Sequence, residues 1–67
     1  MFCDGEKLER LIDNYVNGKR AERNRAILKA RFLRGDTYEE IAEAFDMSSM
    51  QIWRIVQQFK EQLLLLL

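Results

Sequence analysis

Apolar residues recur along this chain with a helical period, and short polar punctuation divides them into four runs. Leu8, Leu11, Ile12, Tyr15 and Val16 fall at i, i+3, i+4, i+7 and i+8, which predicts an amphipathic helix over about residues 4–17. Asp4 stands where an N-cap is wanted, and Gly18 where a left-handed residue closes a helix. Ile27, Leu28, Phe32 and Leu33 give the apolar content of a second helix over about 20–34, which Gly35 ends in the same way. The first two turns of that helix, with Arg20, Glu22, Arg23, Asn24 and Arg25, are almost wholly polar and are expected to project from the core.

The punctuation that follows is more specific. Thr37-Tyr38-Glu39-Glu40 matches a capping box, in which Thr37 caps the backbone near Glu40 and Glu40 reaches back. Tyr38, Ile41, Ala42 and Phe45 mark the buried side of a short helix over 38–45. A second box, Ser48-Ser49-Met50-Gln51, precedes the stripe Ile52, Ile55, Val56, Phe59 and Leu63, a helix over about 49–63. Two capped helices joined only by Asp46-Met47-Ser48 form a helix-turn-helix unit over about 37–60. Ala42 is small enough for a close crossing, Met47 and Ile52 can bury together, and Asp46 tolerates the positive φ the turn requires. No strand-like alternation, internal repeat or linker interrupts the pattern. It predicts an all-α, four-helix domain over 1–67, with the first helix packing on the helix-turn-helix.

Composition narrows the chemistry. Histidine is absent and Cys3 is the lone cysteine, which excludes a Cys/His zinc site, an internal disulfide and a histidine-based triad. No cofactor is expected. Glu39, Glu40 and Glu43 read as a solvated acidic face rather than as catalytic carboxylates, so no enzyme is expected either. The longest apolar run, Leu63 to Leu67, is far below the roughly 20 residues needed to cross a bilayer. The N-terminus lacks a basic-then-apolar signal layout, so a soluble cytoplasmic protein is expected.

Charge adds a direction. The net charge is zero, yet residues 1–18 carry −2, residues 19–34 carry +6, residues 35–47 carry −5 and residues 48–67 carry +1. Two readings stay open. The basic and acidic segments neutralise each other across neighbouring helices, or the basic one forms a phosphate-facing stripe.

The stretch from Arg25 to Val56, centred on Thr37-Tyr38-Glu39-Glu40-Ile41-Ala42-Glu43, resembles region four of bacterial sigma factors and the small sigma-like helix-turn-helix proteins of phages and mobile elements. The likeness covers roughly residues 23–60. It implies that the final helix enters the major groove of DNA and touches bases with its exposed N-terminal residues. Carried over by position, the base-reading candidates are Ser49, Met50, Gln51, Trp53, Arg54 and Gln57. Gln51 suits a bidentate contact to adenine, Arg54 one to guanine, and Met50 or Trp53 a thymine methyl. Thr37 would offer its backbone N–H and hydroxyl to a phosphate, and Arg23, Arg25, Arg31 and Arg34 would track the backbone.

The sequence also departs from that family. Its reading helix has only Arg54 and Lys60 as bases, while Met50, Trp53, Arg54 and Gln57 form a second, partly apolar stripe at i, i+3, i+4 and i+7. That stripe can meet DNA, meet a protein or, at Trp53, fold back as core. The function expected is therefore a DNA-binding module in transcriptional or mobile-element regulation. The alternative is an adaptor that grips RNA polymerase, a sigma factor or another partner. The C-terminal leucines and the first helix hold more apolar surface than a small core covers, so a homodimer through them is also expected.

Overall fold

The computed structural model describes residues 4–66, with side chains from Gly5 onward. The capping role expected of Asp4, and Cys3 and Leu67 altogether, lie outside the described part. Four helices follow one another: α1 (Asp4–Tyr15), α2 (Ala21–Lys29), α3 (Tyr38–Phe45) and α4 (Ser49–Leu66). A π-helical turn, Ala30–Arg34, continues α2 to its end. Among the described residues there is no strand, and the chain adopts the expected all-α helix-turn-helix fold.

Helix ends differ from the expected ones where local chemistry intervenes. α1 stops at Tyr15, two residues early, and Asn17 Nδ2 donates to the Asn14 carbonyl at 2.8 Å, so a side chain closes the helix ahead of Gly18. α2 starts at Ala21 because Arg20 sits in the left-handed region at φ 61°, a conformation that costs a non-glycine residue about 1–2 kcal/mol. At the other end, the N–H groups of Gly35 and Asp36 both reach the Ala30 carbonyl. That is one residue further back than an ordinary helix closure, and the widened turn results. α4 runs on through Leu66, three residues beyond the expected end.

The start of α2 projects only in part, with Arg20 and Glu22 exposed. Ala21, Arg23, Asn24 and Arg25 are half-buried. Arg25 Nε donates to the Val16 carbonyl at 2.8 Å, and its Nη2 donates to Asn17 Oδ1 at 2.9 Å. The physical reason is that the last carbonyls of α1 lack intrahelical donors. The Arg25 guanidinium from the neighbouring helix supplies a donor to the one at Val16.

The core is one apolar cluster drawn from every helix: Ile12, Val16, Ile27, Leu28, Ala30, Ile41, Ala42, Ile52, Val56 and Leu63. Each large side chain in it contributes roughly 1.5–3 kcal/mol through burial. α1 packs on α2 and α4, while α3 packs on α4 and on the π-helical turn. Leu8, Leu11, Phe32, Tyr38, Phe45, Ile55 and Phe59 of the expected stripes pack against this cluster half-buried, whereas Tyr15 and Leu33 are exposed. On α1, Ile12 is fully buried and Leu8 and Leu11 pack half-buried against the core, while Val16, just past the helix end, is buried as well.

Reciprocal hydrogen bonds fix the helix-turn-helix. Thr37 Oγ1 accepts from the Glu40 N–H at 3.1 Å, and Glu40 Oε1 accepts from the Thr37 N–H at 2.8 Å. At the far end of α3, Asp46 takes φ 55°, its N–H reaches Glu43 O at 3.4 Å, and the Met47 N–H reaches Ala42 O at 2.9 Å. This Schellman closure turns the chain directly into α4. Ser48 then caps α4: its Oγ accepts from the Gln51 N–H at 3.2 Å, and Gln51 Oε1 accepts from the Ser48 N–H at 3.0 Å.

Candidate nucleic-acid interface

α4 has two unlike faces. Ile52, Val56 and Leu63 lie in the core, whereas Met50, Trp53 and Arg54 stand on the opposite face and are exposed. Met50 is 61% and Trp53 47% exposed, so Trp53 does not fold back as core. Ser49 and Gln51 are exposed as well, and Gln57 is half-buried. The helix thus presents a mixed apolar and basic surface from its first turns.

The N-termini of α3 and α4 meet the π-helical turn around an open groove of about 720 Å³. Arg31, Thr37, Tyr38 and Glu39 form one side, and Ser49, Met50 and Trp53 the other. Tyr38 is held in place by Arg31, whose guanidinium carbon lies 4.5 Å from the ring centroid. Arg31 Nη1 also donates to the Asp36 carbonyl at 3.0 Å, which ties the π-helical turn to the loop before α3. A cation over a tyrosine face contributes about 0.5–1 kcal/mol at such a surface site.

The cations of the basic segment have unlike surroundings. Arg25 clamps the end of α1. Lys29 pairs with Asp13 at 2.8 Å and with Glu9 at 3.9 Å, both on α1. Arg34 pairs with Asp36 at 2.7 Å, and Arg23 donates to Asn24 Oδ1 through Nε and Nη2. Neutralisation across helices therefore runs between α2 and α1. Among the described residues, no salt bridge joins Glu39, Glu40, Glu43 or Asp46 to a base of another helix.

Capping decides which polar atoms remain available. The Thr37 N–H is taken by Glu40, and its hydroxyl oxygen accepts from the Glu40 N–H, which leaves the hydroxyl proton to donate. Gln51 Oε1 faces both the N–H and the Oγ of Ser48, at 3.0 and 3.3 Å, so the amide nitrogen is the part left for a ligand. The sequence names both residues as caps and as contacts without showing that the two roles share atoms. It also passes over Tyr38 and Glu39 as groove walls. Their place in the first turn after a cap, facing the start of the next helix, is the signal that marks them. No group of Cys, His, Asp and Glu suited to a metal occurs among the described residues.

Residues 19–64, more than two thirds of the chain, match the family profile of the homeodomain-like domain. The chain belongs to that helix-turn-helix family. The match covers α2 to α4 and leaves α1 outside it. Neither the curated proteins nor the solved structures give a significant match.

Proposed function

We propose that this member of the homeodomain-like helix-turn-helix family binds double-stranded DNA by laying the outer face of α4 in the major groove. One observation carries the reading. The family match runs through a helix whose inner face is core and whose outer face keeps Met50, Trp53 and Arg54 in solvent. Arg54 presents a guanidinium fork suited to guanine O6 and N7. Gln51 donates through its amide nitrogen to a base acceptor, because a bidentate adenine contact would first break the Ser48 cap, at a cost of about 1 kcal/mol. The Thr37 hydroxyl, Arg23, Arg31 and Arg34 are the candidates for phosphate contacts in this reading, while Arg25 acts by holding α1 to α2.

The sigma-region-four resemblance of Thr37 to Glu43 supports a setting in transcriptional or mobile-element control, in a bacterial cytoplasm. In that setting the chain is a binder with neither cofactor nor reaction. Exposed Leu64, Leu65 and Leu66 support a second copy as partner, and a two-fold dimer would place two reading helices on DNA. The adaptor reading, with RNA polymerase or a sigma-type partner, draws on the exposure of Met50 and Trp53.

Selection from a randomised duplex library tests the assignment of roles. Arg54→Ala and Gln51→Ala are expected to relax discrimination at single base pairs by about 1–3 kcal/mol each, and Arg23→Ala to weaken every sequence alike. Identical behaviour of the three variants contradicts it.

A further inference from the structure

We infer that Leu64, Leu65 and Leu66, at the end of α4, form a contact through which two copies of this chain join on DNA and not in free solution. This rests on the DNA-binding reading and names the condition under which its second copy is held. The fold itself absorbs most of the apolar surface expected for a dimer: Ile12, Val16 and Leu63 are in the core, and Leu8 and Leu11 pack against it. What remains is a small patch, with Leu64 58% exposed, Leu65 86% and Leu66 39%. That is the surface of about two leucines per copy, so a symmetric pair buries well under about 1,000 Å², whereas stable specific interfaces bury about 1,200–2,000 Å². In free solution such a contact does not offset the lost freedom of two whole molecules. Two copies held on neighbouring half-sites have already lost that freedom, and each meets the other at an effective concentration in the millimolar range.

The position and charge of the patch suit a second copy. Leu65 lies twelve residues beyond Trp53 on one continuous helix, about 18 Å along its axis. The major groove is about 12 Å wide, so the patch clears it when the first turns of α4 are inside. Lys60 and Glu61, both exposed, stand one turn before Leu64 and Leu65, and among the described residues neither forms a salt bridge. A patch with one charge of each sign complements itself across a two-fold axis, whereas a strongly acidic or basic partner meets one of them unfavourably. Two arms of about 18 Å, plus the 8–10 Å between packed helices, set the reading turns no more than about 46 Å apart. That span admits half-sites one DNA turn apart, about 34–36 Å, and excludes half-sites two turns apart.

The test uses the intact chain and a half-site that it selects from a randomised duplex library. Three duplexes are compared: one half-site, two inverted copies one turn apart, and two inverted copies two turns apart. Sedimentation without DNA at tens of micromolar is expected to give a monomer. On the one-turn duplex the second copy is expected to bind at least about tenfold more tightly than a copy on the single half-site, and on the two-turn duplex with no gain. Leu64→Ser with Leu65→Ser should abolish the gain and leave single-site affinity unchanged, because both side chains are exposed. Leu65→Ser alone is the milder variant, and circular dichroism checks the fold of each. A dimer in free solution, an equal gain at both spacings, no gain at either, or a gain that survives in the folded leucine variants overturns the inference, and the DNA-binding reading stands if the single half-site is bound. A folded chain that binds no duplex overturns both.

Discussion

The side of the molecule that faces α1 and the side that faces the groove use the same residue types for opposite ends. Toward α1, Arg25 and Lys29 are spent on the chain itself, one on the Val16 carbonyl and Asn17, the other on Asp13 and Glu9. Toward the groove, Met50 and Trp53 stand in solvent beside two capped helix starts, and Arg54 is exposed next to Trp53 on α4. A count of seven cations in residues 19–34 does not distinguish holding from reading. The local acceptors do. Where a helix end leaves carbonyls orphaned, a nearby arginine is drawn inward; where caps already satisfy the backbone, side chains remain for a ligand.

The sharpest contrast lies within α4. Ile52→Ala is expected to cost about 2–5 kcal/mol, enough to unfold much of so small a domain, while Trp53→Ala should change stability by less than about 0.5 kcal/mol. Urea denaturation of the two variants reads the difference directly, and equal losses would erase the distinction between faces. Arg25→Ala comes next, at about 1–2 kcal/mol of stability, and Arg25→Lys should not restore it because lysine lacks the planar fork. A variant of Arg25 that keeps wild-type stability but loses DNA affinity would move this residue to the reading side.

Smaller effects test the caps and the backbone. Thr37→Ala should lose about 1 kcal/mol and Thr37→Ser should recover most of it, measured as a shift in Tm. Arg20→Gly should gain about 0.5–1 kcal/mol, because glycine takes the left-handed conformation at φ 61° freely. A loss at that position would mean that the Arg20 side chain holds something the backbone geometry does not reveal.

Much of the fold was legible because it is written in short local codes. Thr37 with Glu40, Ser48 with Gln51, Asp46 in the turn and Gly35 at the close of the second helix are each specified within a few residues. What could not be read there depends on neighbours distant in sequence. Arg25 is polar by composition and half-buried in fact, because the end of α1 lies against it. Tyr15 completes a periodic stripe, yet it stays about half exposed. The π-helical turn follows from how Ala30 is shared by two N–H groups, a choice that no residue type announces. The groove was half legible: Met50 and Trp53 share a face by period, whereas Tyr38 and Glu39 join them only through the packing of α3 against α4. In the same way, the broad helix-turn-helix family was legible in Thr37 to Glu43, and the sigma-like branch is a further step that the homeodomain-like match does not take.

The central claim is that the outer face of α4 and the cations around it meet duplex DNA, and a salt titration tests it most directly. The purified, folded chain is mixed with a duplex pool, and the apparent Kd is measured from about 50 to 200 mM salt. Three to five phosphate contacts predict weak binding at the low end that fades with a slope of about −2.7 to −4.5 in log K against log salt. No binding at about 50 mM salt, or binding that ignores salt, would contradict the claim.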